Sequence, residues 1–156
     1  MSCATSQPTG RTGLPSDFAI DADAPSLVYA AVSFVGSNAP VVRRSRDGGT
    51  HWEAADQGLP PGFLPYALAI DRRDGGRIYA MGSVDTCNPD SPSLRLFASG
   101  DSGTSWQSRG LPEGVGCYAR FSTDPRQPRR LLLHRRPEGG EAASASQATG
   151  IGPRVP

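Results

Sequence analysis

Apolar residues in this chain come in short runs that alternate with polar positions, and each run is closed by Gly, Pro, Asn or Asp within a few residues. A period of two in such brief segments predicts strands rather than helices. The runs fall near 17–20, 27–33, 40–45 and 51–55, and again near 66–70, 77–82, 94–99 and 105–108. Four short strands in about 50 residues is the content of one propeller blade. The expected fold is therefore all-β, a β-propeller fragment of about two and a half four-stranded blades.

The repetition can be checked residue by residue. Phe18 to Ala31 aligns with Leu68 to Met81, placing Ile20 on Ile70, Asp21 on Asp71 and Tyr29 on Tyr79, each 50 residues on. Phe121 to Leu133 is a third copy, with Asp124 in the place of Asp71 and Pro128 in the place of Pro25. Aspartate can accept hydrogen bonds from the backbone just after it and proline fixes φ, so these aspartates are expected to form the turn between the first two strands of each unit.

A second motif recurs between the copies. Ser45-Arg-Asp-Gly-Gly-Thr-His-Trp52 and Ser99-Gly-Asp-Ser-Gly-Thr-Ser-Trp106 stand 54 residues apart, each followed by Gly-Leu-Pro. This box lies where a hairpin must join the third and fourth strands. Asp47 and Asp101 can accept the N–H groups of the loop, Ser45 and Ser99 add a hydroxyl, and Gly49 and Gly103 allow a positive φ. Trp52 and Trp106 are expected to pack beneath, where a buried ring contributes roughly 1.5 to 3 kcal/mol. The eight residues thus have a structural reason to be there before any chemistry is considered.

Two such boxes at blade spacing, with Ile-Asp…Tyr-Ala strands and Gly-Leu-Pro linkers, resemble the Asp-box, or bacterial neuraminidase repeat. That repeat occurs in sialidases, sortilin-like receptors, xyloglucanases and photosystem II assembly factors, and the resemblance covers about 17 to 134. It implies a propeller whose boxes are structural. It also implies an extracellular or periplasmic location, although Met1 to Gly13 lacks the apolar centre of a secretory signal. For function it implies either a non-catalytic scaffold or binding module, or a piece of a sialidase-like or xyloglucanase-like glycoside hydrolase whose catalytic residues lie in missing blades.

The organisation that follows is a linker or the end of a missing blade at 1–16, blade one at 17–60, blade two at 61–112, a partial third blade at 113–135 and a disordered tail at 136–156. Gly13-Leu-Pro15 is read as a linker after an absent box. The tail, rich in Gly, Ala, Ser and Glu, has too little apolar content to fold. About two and a half blades cannot close a ring, so the expectation is either a truncated reading frame or copies that assemble.

Candidate chemistry is sparse. A net charge of +1 supplies no basic field for a nucleic-acid backbone, and no apolar run is long enough for a membrane span. The arginine and Tyr/Glu pattern of a sialidase is not visible, and Arg43, Arg44 and Arg46 are read as a solvated blade face. No catalytic residue is assigned. No metal site or cofactor is assigned either, since His51 and His134 stand far apart and no cluster has ligand spacing. The loop from Gly82 to Ser93 is longer than its counterpart in the first unit, which makes Asp85, Asn88 and Asp90 the candidate binding positions for a protein or carbohydrate on one propeller face. Cys87 in that loop and Cys117 in the next linker open on the same face, so a disulfide between them is weighed against two separate thiols; Cys3 is left over.

Overall fold

A computed structural model describes residues 14–33, 41–71, 74–84, 93–111, 119–124, 126, 131–135 and 149–151. The first sheet holds β1 (Leu14–Ile20), β2 (Val28–Ser33), β3 (Val42–Ser45) and β4 (Glu53–Ala54) in that order. The second holds β5 (Leu64–Asp71), β6 (Asp74–Ser83), β7 (Leu94–Ser99) and β8 (Gln107–Arg109) in the same order. A third sheet has three strands, β9 (Ala119–Thr123), β10 (Leu131–Arg135) and β11 (Thr149–Ile151), with β10 in the middle. Every pairing is antiparallel, and no helix occurs among the described residues.

The two four-stranded sheets repeat down to their irregularities. Leu14 pairs with Ser33 as Leu64 pairs with Ser83, and the register shifts between Pro15 and Asp17 as it does between Pro65 and Ala67. This corrects one expectation. Gly13-Leu-Pro15 is not the counterpart of the Gly58-Leu-Pro60 linker, because Leu14 and Pro15 lie inside β1, in the place of Leu64 and Pro65. Proline fits there since β1 and β5 are the edge strands of their sheets, where a missing N–H breaks no ladder bond.

The low apolar content of 136–156 predicts a disordered tail, yet Thr149–Ile151 pairs with β10, setting Ile151 opposite Leu131 and Gly150 opposite Leu132. An added edge strand is held by main-chain hydrogen bonds, which composition does not register. Two of the turn aspartates bond the backbone that follows them. Asp21 accepts the N–H groups of Asp23 and Ala24 at 2.9 and 3.3 Å, and Asp124 accepts that of Arg126 at 2.8 Å. Asp71 ends β5 opposite Asp74, its carboxylate 3.9 Å from Arg77, and residues 72–73 of the turn after it lie outside the described residues.

Side chains on successive strand positions point to opposite faces. In β6 this splits the core. Ile78 and Ala80 join Leu68, Ile70 and Phe97 against Tyr29, Ala31 and Val42 of the first sheet. Tyr79 and Met81 join Leu96 against Leu131 and Leu133 of the third. Phe63 and Phe97 meet edge to face in the first junction, their ring centres 5.0 Å apart. The edges of the first strands are joined by side chains: Ser16 donates its hydroxyl to the Pro65 carbonyl at 2.7 Å, and the Leu68 N–H donates to Asp17 at 2.7 Å.

Candidate functional site

Both boxes are built alike at their centre. The Ser45 hydroxyl donates to Asp47 Oδ1 at 2.8 Å and accepts the Gly49 N–H at 2.8 Å. Ser99 repeats this with Asp101 at 2.7 Å and Gly103 at 2.8 Å. Asp47 Oδ1 also accepts the N–H groups of Thr50 and His51, and Asp101 Oδ1 that of Ser105. Gly49 and Gly103 both have positive φ, 97° and 81°. Each box is tied to the first hairpin of its own sheet, through Gly48 N–H to the Ser26 carbonyl and Ser102 N–H to the Gly76 carbonyl.

These bonds favour the ionised carboxylates. Asp101 is drawn down to about 2, first by the Ser105 hydroxyl on its second oxygen. Asp47 is held well below the usual carboxylate range by the backbone and then the ring of His51, whose Nδ1 lies 2.6 Å from Oδ2. His51 stands exposed at the surface, so the pair caps the loop from outside.

The tryptophans part company. Trp106 is buried, its indole N–H donating to the Ala55 carbonyl at 2.8 Å and its backbone N–H to the Gln57 carbonyl at 3.0 Å, both in the preceding unit. Trp52 is half-buried, and its indole N–H turns back to the Gly49 carbonyl of its own loop at 2.9 Å. Arg44 belongs to the same junction as box two. Expected on a solvated face, it is buried, pairs with Glu53 at 2.7 Å and donates to the Ser102 carbonyl across the two sheets. Arg46 does stay exposed, 3.0 Å from the same Glu53 oxygen.

A groove of about 260 Å³ opens where the ends of β1, β5 and β9 approach one another. Ala19, Ile20, Leu68, Ala69, Ser122 and Thr123 line it, and among the described residues no ionisable side chain does. It sits at the end of the strands that carries the Asp21, Asp71 and Asp124 positions, beyond Ile20, Ile70 and Thr123. The loop expected to bind, with Asp85, Asn88 and Asp90, and the cysteines Cys87 and Cys117 lie outside the described residues. Period-two alternation marked β1 and β5 as strands and the third repeat copy from Phe121 pointed to β9, but their convergence comes from the packing of three sheets. The one local signal was Phe18 and Ile20, two large apolar residues on a face that β1 leaves exposed. Among the described residues no cluster of three His, Cys, Asp or Glu side chains could hold a metal ion.

No protein-family model matches this chain, and no curated protein matches it. Its fold is similar to that of solved β-propellers. Against the GH74 xyloglucanase from Xanthomonas campestris the TM-score is 0.52 at 21% identity, over 76% of this chain and 18% of that one. Against YCF48 from Cyanidioschyzon merolae it is 0.55 at 14% identity, over 82% and 33%. Against YCF48 bound to D1 peptide it is 0.53 at 19% identity, over 82% and 34%. The chain thus spans about a third or less of the length of the proteins it resembles, and at these identities the likeness is one of fold.

Proposed function

We propose that the chain is a non-catalytic binding module made of Asp-box-type propeller blades, and that it takes an extended protein segment into the groove at the ends of β1, β5 and β9. The observation that carries this reading is the lining of that groove. Glycoside hydrolysis needs two carboxyl groups, roughly 5 to 9.5 Å apart, facing one bond. The groove offers small and apolar side chains with the hydroxyls of Ser122 and Thr123, a surface suited to an apolar side chain and the polar backbone beside it. A neighbour in fold, YCF48, holds a D1 peptide, which agrees with a protein ligand.

The second reading, a portion of a glycoside hydrolase, is favoured by the likeness to a GH74 xyloglucanase and to a second GH74 enzyme. Location outside the cytoplasm is part of both readings through the Asp-box resemblance. The two are separated by titrating the protein with a panel of labelled extended peptides, each with one apolar anchor, and with xyloglucan oligosaccharides. Saturable peptide binding that weakens at least tenfold in Ala69→Arg, which fills the groove, is expected. Release of reducing ends from the oligosaccharides, or peptide binding indifferent to Ala69→Arg, would overturn the proposal.

A further inference from the structure

The main chain of β5 carries an unused donor and acceptor at the groove. Leu68 and Ile70 lie opposite Ala80 and Ile78 of β6. The Leu68 N–H turns away from β6 to Asp17, so Leu68 and Ala80 exchange no ladder bonds and the Leu68 C=O also faces outward. Two residues on, Ile70 repeats this orientation, and its C=O accepts the Thr123 hydroxyl at 3.3 Å. Between those two contacts stand the Leu68 C=O and the Ile70 N–H, and neither meets a partner among the described residues.

The side chains of Leu68 and Ile70 are buried in the first core, yet both residues line the groove, so they reach it through their main chain. Main-chain groups away from bulk water are nearly always paired, because an unmet one costs free energy. An acceptor and a donor placed two residues apart on one strand edge fit the N–H and the C=O of a single residue in a strand running parallel to it. Asp17 fills the position before them and Thr123 the position after, so the open stretch is one residue long. β1 sets Phe18 and Ile20 in the same orientation, but β5 stands in the middle, with β1 on one side and β9 on the other.

The geometry points to recognition of the ligand's main chain: one residue of the bound segment lies beside Ala69 in parallel register, donates its N–H to the Leu68 C=O and accepts the Ile70 N–H. This rests on the reading that the groove takes an extended protein segment, and it names what the groove reads there. The bound segment extends the edge of β5 by a single bridge. The residue beside Ala69 must carry an N–H, which excludes proline, while its side chain meets only small and apolar neighbours and hydroxyls among the described residues.

The probe is a labelled heptapeptide, Thr-Thr-Val-Leu-Val-Thr-Thr, neutral and capped at both ends, titrated into the full 156-residue protein. A matching series replaces each peptide bond in turn with an ester, which removes one N–H and keeps the side chains. One ester is expected to weaken binding at least tenfold, and those on either side of it to leave binding nearly unchanged, because their N–H groups point away from β5. In isotope-labelled protein the Ile70 amide proton should move downfield at saturation, and the Ile20 amide proton should not. Binding that Ala69→Arg weakens but every ester leaves intact overturns the bridge and spares the groove. Loss at every second ester, or a downfield move at Ile20 in place of Ile70, overturns the bridge as well. If other extended peptides bind and this one does not, the bridge falls alone; if none binds, the reading of the groove falls with it.

Discussion

Box one and box two share a motif and a hydrogen-bond pattern, yet among the described residues only the second joins two sheets. Box two lays Trp106 on the linker of the preceding unit, receives Arg44 on its Ser102 carbonyl, and sets Gly103 against Ala55 and Tyr29. Box one uses the same residues to satisfy itself, with Trp52 on its own Gly49 and His51 on its own Asp47. The motif thus encodes a hairpin, and the neighbouring blade decides whether the hairpin also becomes an interface. Ser102 illustrates the cost. It holds a φ of 59° where box one has Gly48 at 73°. A left-handed serine costs about 1 to 2 kcal/mol, which the contacts across the junction offset.

The largest expected difference is between the tryptophans. Trp106→Ala should cost about 3 to 5 kcal/mol in urea unfolding, since it empties a buried site and leaves the Ala55 carbonyl unpaired. Trp52→Ala should cost about 1 kcal/mol, in proportion to a half-buried ring. Equal losses would show that box one is as tightly docked as box two. Next comes Gly58, which has φ 95° and whose added Cβ would lie 2.8 Å from the Trp106 carbonyl oxygen. Gly58→Ala should cost about 2 to 3 kcal/mol through strain and displacement of the Trp106 backbone. Little change in melting temperature would mean that the junction is slack there.

A smaller effect than at Trp106 or Gly58 concerns the carboxylates. Asp101→Ala should cost about 1 to 2 kcal/mol at neutral pH through unmet loop donors. The pKa of Asp101 is depressed from 3.8 to about 2 in the folded chain. Its charge therefore stabilises the fold above pH 4, and that contribution disappears as pH falls toward 2. The melting temperature of the unmodified protein should drop over that window, and Asp101→Asn should flatten part of the drop. If the two curves stay parallel, box two does not draw on this charge.

How much of this was legible depends on distance along the chain. The strands, their repeat and the inner bonds of each box are local, so alternation and turn chemistry sufficed to place Ser45, Asp47, Ser99 and Asp101. What Trp106 and Arg44 touch depends on how one sheet lies on another, and no local pattern carries that. Arg44 has polar neighbours in sequence and reads as exposed, but it alternates with Arg43 onto the inner side of β3. Thr149–Ile151 was missed for a related reason, because its partner β10 lies some 15 residues upstream and its own side chains carry no pattern.

The bond from the Leu68 N–H to Asp17 has a kinetic consequence. The amides of β5 that face β6 are protected by pairing inside their own sheet, whereas this one is shielded by a side chain of the adjacent sheet. Its hydrogen exchange should therefore follow the parting of blades one and two rather than the melting of either. A single amide becomes a clock for the hinge between them, readable without unfolding the protein.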